Sequence, residues 1–114
     1  AIAKLLLEMK VVDTLEETNA EERKVLKETD YCDLLKQGRL EKKDHVDTIE
    51  RIHVKAKQQD EIRFAYYKYN KNGNERLILR PLDLSEDELF QLFISAIAEG
   101  VFTPSFRSKL KGIL

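Results

Sequence analysis

Residues 49–84 read IERIHVKAKQQDEIRFAYYKYNKNGNERLILRPLDL, and two turns within this stretch decide the fold. Asn72-Gly73 stands between the runs 61–70 and 75–84, and Asn-Gly is the strongest short signal for a hairpin. A two-residue loop there sets Tyr66 opposite Leu79, Phe64 opposite Pro81, Tyr67 opposite Ile78 and Tyr69 opposite Arg76. The preceding run, 49–57, then pairs through a loop at Gln58-Gln59-Asp60, with Val54 beside Phe64 and Ile52 beside Tyr66. Side chains alternate along a strand, so a slip of one residue would send every apolar side chain to the wrong face.

This register predicts one apolar face and one outer face. The outer face carries Arg51, Lys55, Lys57, Arg63, Arg76 and Arg80, with His53, Tyr67 and Tyr69 among them and Glu61 as its only acid. Phosphates attract Lys and Arg, and unstacked bases lie on aromatic planes. The candidate nucleic-acid-binding residues are therefore Arg51, Lys55, Arg63, Tyr67, Tyr69, Arg76 and Arg80. Lys55 opposite Arg63 would be an unfavourable like-charge pair, which an anionic partner would relieve. The alternative is a solvated outer face neutralised by acids from elsewhere in the fold.

Around this meander, residues 1–11 place Ala3, Leu5, Leu7, Met9 and Val11 at odd positions, the period of a strand. Thr18-x-x-Glu21 reads as a capping box, opening a helix whose apolar side is Val25, Leu26, Cys32, Leu34 and Leu35 and which stops at Gly38. Residues 39–47 read as a charged loop. A second capping box, Ser85-x-x-Glu88, opens a helix running to Glu99. Its polar stripe is narrow: Glu88, Gln91, Ser95 and Glu99. Thr103-Pro104 starts a last helix with Phe106, Leu110 and Ile113 on one side. The expected fold is α+β, a three- to four-stranded antiparallel sheet (meander 49–84) packed against helices, in the order β-α-β-β-β-α-α and as one domain over 1–114.

The helix–three strands–helix order over roughly residues 19–99 resembles that of double-stranded RNA-binding domains in element order alone. Those domains put lysines where this chain has Ser85-Glu86-Asp87-Glu88, so no family is assigned. A helix-turn-helix reading of the C-terminal helices rests on Ala96, Gly100, Val101 and Phe106, and would present Ser105, Arg107, Ser108, Lys109 and Lys111. Glu99 and Lys109 stand against it, and glycine turns between plain helix pairs are commoner.

Twenty basic and twenty-one acidic side chains nearly cancel, so overall charge does not drive binding to polyanions. The single cysteine, Cys32, cannot form a disulfide within the chain and is expected to pack as a small hydrophobe. Ala1-Ile2-Ala3-Lys4 lacks the basic region of a signal peptide, and no apolar run is long enough for a membrane span; a cytoplasmic protein without membrane contact is expected. His45 lies with Asp44 and Asp47 at a spacing too loose to specify a metal, and His53 has no carboxylate beside it in the expected register. No glycine loop cradles a phosphate.

The expectation is thus no enzyme, no cofactor, no metal and no evident small-molecule substrate. A helix this apolar needs cover on several sides, so the candidate interface is Leu89, Phe90, Phe93, Ile94, Ile97 and Phe102. The leading reading is a small binding or regulatory protein that acts through protein–protein contacts and self-association. Nucleic-acid binding by the sheet face or by the C-terminal helices is the alternative.

Overall fold

The computed structural model describes residues 23–114. The expected N-terminal strand and the Thr18-x-x-Glu21 cap lie outside the described residues. Five strands run in chain order: β1 (Lys27–Glu28), β2 (Cys32–Glu41), β3 (His45–Val54), β4 (Gln59–Tyr69) and β5 (Glu75–Ile78), followed by α1 (Glu86–Ala98) and α2 (Pro104–Ile113). The strands form one antiparallel sheet in the order β1-β2-β3-β4-β5. The fold class is α+β, as expected, with a meander that starts well before residue 49. The chain divides into two compact units, Val25–Val101 and a second to which Phe102–Leu114 belongs.

Residues 25–38, expected to belong to a helix that stops at Gly38, fall in β1, a turn and β2 instead. Thr29 folds the chain back on itself: its Oγ1 accepts from the Cys32 amide at 3.1 Å, and its own amide donates to the Cys32 carbonyl at 2.9 Å. A tight turn at Thr29-Asp30-Tyr31 therefore separates β1 from β2. A bulge in β2 between Leu34 and Lys36 lets the consecutive Leu34 and Leu35 both be buried, an apolar pairing that mimics helical spacing. Residues 39–47, expected as a loop, form the end of β2, a short turn and the start of β3.

Both later turns differ from the expected ones. The β4–β5 hairpin closes at Asn70, whose amide donates to the Asn74 carbonyl at 2.8 Å, so Lys71-Asn72-Gly73 is a three-residue loop. Gly73 has φ +77°, and the Asn70 side chain accepts from the amides of Asn72 and Asn74. An Asx-anchored loop of this length is a standard alternative to the two-residue turn. It slides the register by one, so that Tyr66 faces Ile78 and Tyr69 faces Glu75. The β3–β4 turn comes earlier, pairing Val54 with Gln59 and Ile52 with Glu61. Set against the expected pairing of Ile52 with Tyr66, this is a slip of five residues, an odd number, and it exchanges the two faces of β4 relative to β3.

One face of the sheet is concave. Along it run Cys32, Leu34, Ile52 and Val54 at one end and Val46, Ala65 and Tyr67 at the other, two apolar clusters separated by the buried Glu50. Thr48, fully buried between them, donates to the Ala65 carbonyl at 3.0 Å. The curl is visible in its bridges. Arg39 of β2 pairs with Glu75 of β5 across two intervening strands, and the Tyr69 hydroxyl of β4 donates to Glu41 of β2 at 2.8 Å. Flat strands about 4.8 Å apart would hold β2 and β5 roughly 14 Å from each other.

On the convex face α1 lies over β2 and β3. Its capping box forms as expected, with the Ser85 side chain accepting from the Glu88 amide and Glu88 accepting from the Ser85 amide. Its orientation is the surprise. Leu92 and Ala96 are buried, and Ser95 between them and Glu88 one turn earlier are half-buried against the sheet, while Gln91 and Glu99 stay exposed. The Ser95 hydroxyl accepts from the Arg39 amide at 2.8 Å, and Glu88 pairs with Lys42 at the β2–β3 turn. The reason lies in β2. Strand β1 pairs only with Asp33 and Leu34, so the rest of that edge carries backbone amides in need of acceptors.

Gly38 seats the helix. A Cβ at Gly38 would stand 2.5 Å from both the Cα and the amide nitrogen of Ala96, well inside contact distance of backbone atoms that cannot move alone. Gly38→Ala is predicted to destabilise the protein by about 1–3 kcal/mol, the usual cost of overpacking, measured as the shift in urea midpoint. Because the clash is with backbone, adding Ala96→Gly should not restore the loss; full rescue would contradict this seating.

Candidate interaction surface

The seven residues expected to form one basic face do not share a surface, and the odd slip at the β3–β4 turn is the reason. Arg63, Tyr67 and Tyr69 point to the concave face, alongside Ile52 and Val54. Arg51 and Arg76 belong to the convex face, Lys55 lies in the β3–β4 turn, and Arg80 lies just beyond β5.

Most of these side chains are also engaged. Arg63 donates through Nε to Glu50 at 2.9 Å, and the Tyr67 hydroxyl donates to the same carboxylate at 2.7 Å. Arg51 donates to the Val101 carbonyl at 2.7 Å and pairs with Asp60 at 3.1 Å. Lys55 pairs with Glu28 at 2.8 Å rather than standing opposite Arg63. His53, expected without an acid beside it, has Nδ1 3.0 Å from Asp60 Oδ1.

Glu50 anchors the concave face. It is fully buried and accepts from Gln37, Arg63 and Tyr67. Burying a carboxylate costs several kcal/mol unless donors surround it, and here three side chains from two neighbouring strands do so. Gln37 passes the network on by accepting from Arg39 at 2.9 Å, and Arg39 reaches Glu41 and Glu75. Burial pushes the Tyr67 hydroxyl well above its ordinary pKa, and the Glu50 carboxylate adds to this. For Arg63, burial works against the charge, but Glu50 outweighs it and holds the guanidinium above its usual value. The network ties strands together and leaves Arg63 and Tyr67 committed to Glu50. Cys32, 3.8 Å from an Arg63 nitrogen, packs in the apolar cluster at one end.

Asp47, fully buried, forms an ion pair with Lys42 Nζ at 2.7 Å and has His45 Nε2 3.3 Å away. His45 also touches Asp44 through Nδ1 at 2.6 Å. Among the described residues, no three His, Cys, Asp or Glu side chains are placed to hold a metal ion. No described helix is long and apolar enough to cross a membrane.

The expected interface residues divide differently. Phe90 is 68% exposed, Ile94 53%, Ile97 40% and Leu89 38%. Phe93 is half-buried, and Phe102 is buried, its ring 5.2 Å from that of Phe106. Two exposed apolar residues of β4 on the same convex face, Ile62 and Phe64, went unnoticed in the sequence because the expected register turned Phe64 inward. Phe64 lies opposite Ile49, and Ile49 lies opposite Gly38, so Phe64 sits two strands from the helix seat, roughly 10 Å away. Ala96, which a helix-turn-helix would place against the second helix, is used against Gly38 instead.

The pairing of Glu88 in α1 with Lys42 has a pH signature. Lys42 chiefly, with the Ser85 amide and hydroxyl, holds the Glu88 carboxyl down to about 2. A carboxyl depressed in the folded state stabilises fully above its unfolded value near 4.3 and loses that contribution as pH falls towards 2. Wild type is therefore predicted to exceed Glu88→Gln in stability at pH 6, with the gap closing between roughly pH 5 and 2 in urea titrations. An unchanging gap would contradict the Lys42–Glu88 clamp. No protein family, curated protein or solved structure matched the chain, so its residues and geometry carry the functional reading.

Proposed function

We propose that this chain is a small non-enzymatic binding protein that pairs with a second copy of itself through the outward side of α1. The observation that carries the reading is that α1 turns Ser95 and Glu88 to the sheet and leaves Phe90, Ile94 and Ile97 outside. These three follow one another at spacings of four and three, the period of an apolar seam between paired helices. Monomers rarely expose large apolar side chains in a contiguous group. A closed two-fold pair, in which the same patch serves both partners, is the commonest way of covering one.

A single helix contact is small beside the 1,200–2,000 Å² of a stable interface. Ile62 and Phe64 are further apolar side chains exposed on the convex face of β4. No catalytic role is assigned: the histidines and the buried carboxylates Asp47 and Glu50 are engaged in ion pairs or hydrogen bonds within the fold.

Sedimentation velocity tests the reading. The wild-type chain is predicted to sediment at twice its monomer mass at micromolar concentration. Replacing Phe90 and Ile94 together with Glu should weaken association by about 30-fold or more, the effect of losing a hot-spot aromatic, with the circular dichroism spectrum unchanged. A wild-type monomer at several hundred micromolar would overturn it.

A further inference from the structure

The convex face holds a second feature, at the β4–β5 end of the sheet and independent of the self-association reading. Tyr66, Lys68, Arg76, Ile78, Leu79 and Arg80 line an open cleft of about 500 Å³. Clefts of 300–1,000 Å³ are the size in which small ligands bind. Lys68 and Arg76 stand directly opposite one another across the strands, a like-charge pair that destabilises a hairpin unless something anionic lies between. Tyr66 and Ile78 form the next opposed pair along the same face.

The surrounding acids are committed elsewhere. Glu75 pairs with Arg39 on the concave side, and Asp44 is bonded to His45, which holds its carboxyl low; Lys68 adds only the smallest part of that effect. No ion pair among the described residues engages Lys68, Arg76 or Arg80. Beside the cations are an aromatic ring and an apolar side chain in open solvent. The Tyr66 ring is fixed edge-on against His45, with centroids 5.9 Å apart, and Leu79 is 89% exposed.

We propose that this cleft binds a nucleoside phosphate. Lys68 and Arg76 clasp the phosphate between the strands, Arg80 supplies further positive charge at the rim, and Tyr66, Ile78 and Leu79 offer the surface on which a base rests. A phosphate alone would use only the cations, and an acidic peptide would not use the flat apolar surface. The ligand is presented either as a free nucleotide or within a single-stranded chain.

The test is a fluorescence-polarisation and competition series at low salt. It uses a labelled oligothymidylate, with adenosine monophosphate, inorganic phosphate and poly-glutamate as competitors, on the wild-type protein, Lys68→Ala/Arg76→Ala, and a Lys71→Glu control on the adjacent hairpin loop. The expected result is saturable binding that the double variant weakens at least ten-fold. Its salt slope should fall by about 1.4, the share of two lost phosphate contacts on a single strand, while the Lys71 variant keeps at least half the affinity. Adenosine monophosphate competing far better than inorganic phosphate places the source in free nucleotides. Competition by oligonucleotide alone places it in a chain. The proposal is overturned by equal competition from poly-glutamate, by unchanged binding in the double variant, or by no binding of any probe to wild type.

Discussion

The contact of the α1 backbone with Gly38 is the constraint on which the rest of the convex face depends. Only a residue without a side chain lets Ala96 come so near the sheet, and that closeness puts Ser95 within reach of the Arg39 amide and Glu88 within reach of Lys42. The helix thus finishes the edge of β2 that the two-residue β1 leaves short of partners. Once Ser95 and Glu88 are held against the sheet by these bonds, helical geometry turns Phe90, Ile94 and Ile97 outward. An exposed apolar seam is therefore a consequence of satisfying backbone polar groups at a sheet edge.

The concave face solves a different problem. A strongly curled sheet brings β2 and β5 close, and the space between is too narrow for a helix yet must be filled. Two apolar clusters fill its ends, and a hydrogen-bonded network running from Arg63 through Glu50, Gln37 and Arg39 to Glu75 fills the middle. Buried ionic groups give up desolvation energy and recover it only when every partner is in place. Glu50 meets that condition, so its network restrains register more than it adds stability: a slip of β4 by one residue would leave Arg63 and Tyr67 on the wrong side of the sheet from their carboxylate.

The local signals in the sequence were sound where a single residue governs them. The Ser85 capping box, the Pro104 start of α2, a hairpin around Asn72-Gly73 and an antiparallel meander all stand in the fold. What could not be read were features set by competition between distant groups. Asn70 chose the longer loop through its own side chain, and nothing in the Asn-Gly signal carried that information. Leu34-Leu35 looked helical because a bulge buries both. The inward turn of Ser95 was not legible because the demand for it came from β2, some fifty residues away in sequence. The site followed the same pattern. The exposure of Phe90, Ile94 and Ile97 was legible as a candidate, whereas the placing of Lys68 and Tyr66 beside Arg76, and of Ile62 and Phe64 on the convex face, needed the true register.

Two surfaces on one face of the sheet give the protein its proposed character: an apolar seam on the helix and a cationic cleft beyond β4. The seam depends on which way α1 is turned about its axis, whereas the cleft is set by the register of β4 and β5. The most direct test is a nuclear Overhauser experiment on the isotopically labelled protein, reading proximities of Gly38 Hα. The account predicts strong cross-peaks from Gly38 Hα to Ala96 Hα and Hβ, with none from Gly38 or Ile49 to the Ile94 methyls. Cross-peaks from Phe93 or Ile94 to Gly38 and Ile49, with Ala96 silent, would mean that the helix packs its apolar side inward, and the account would be wrong.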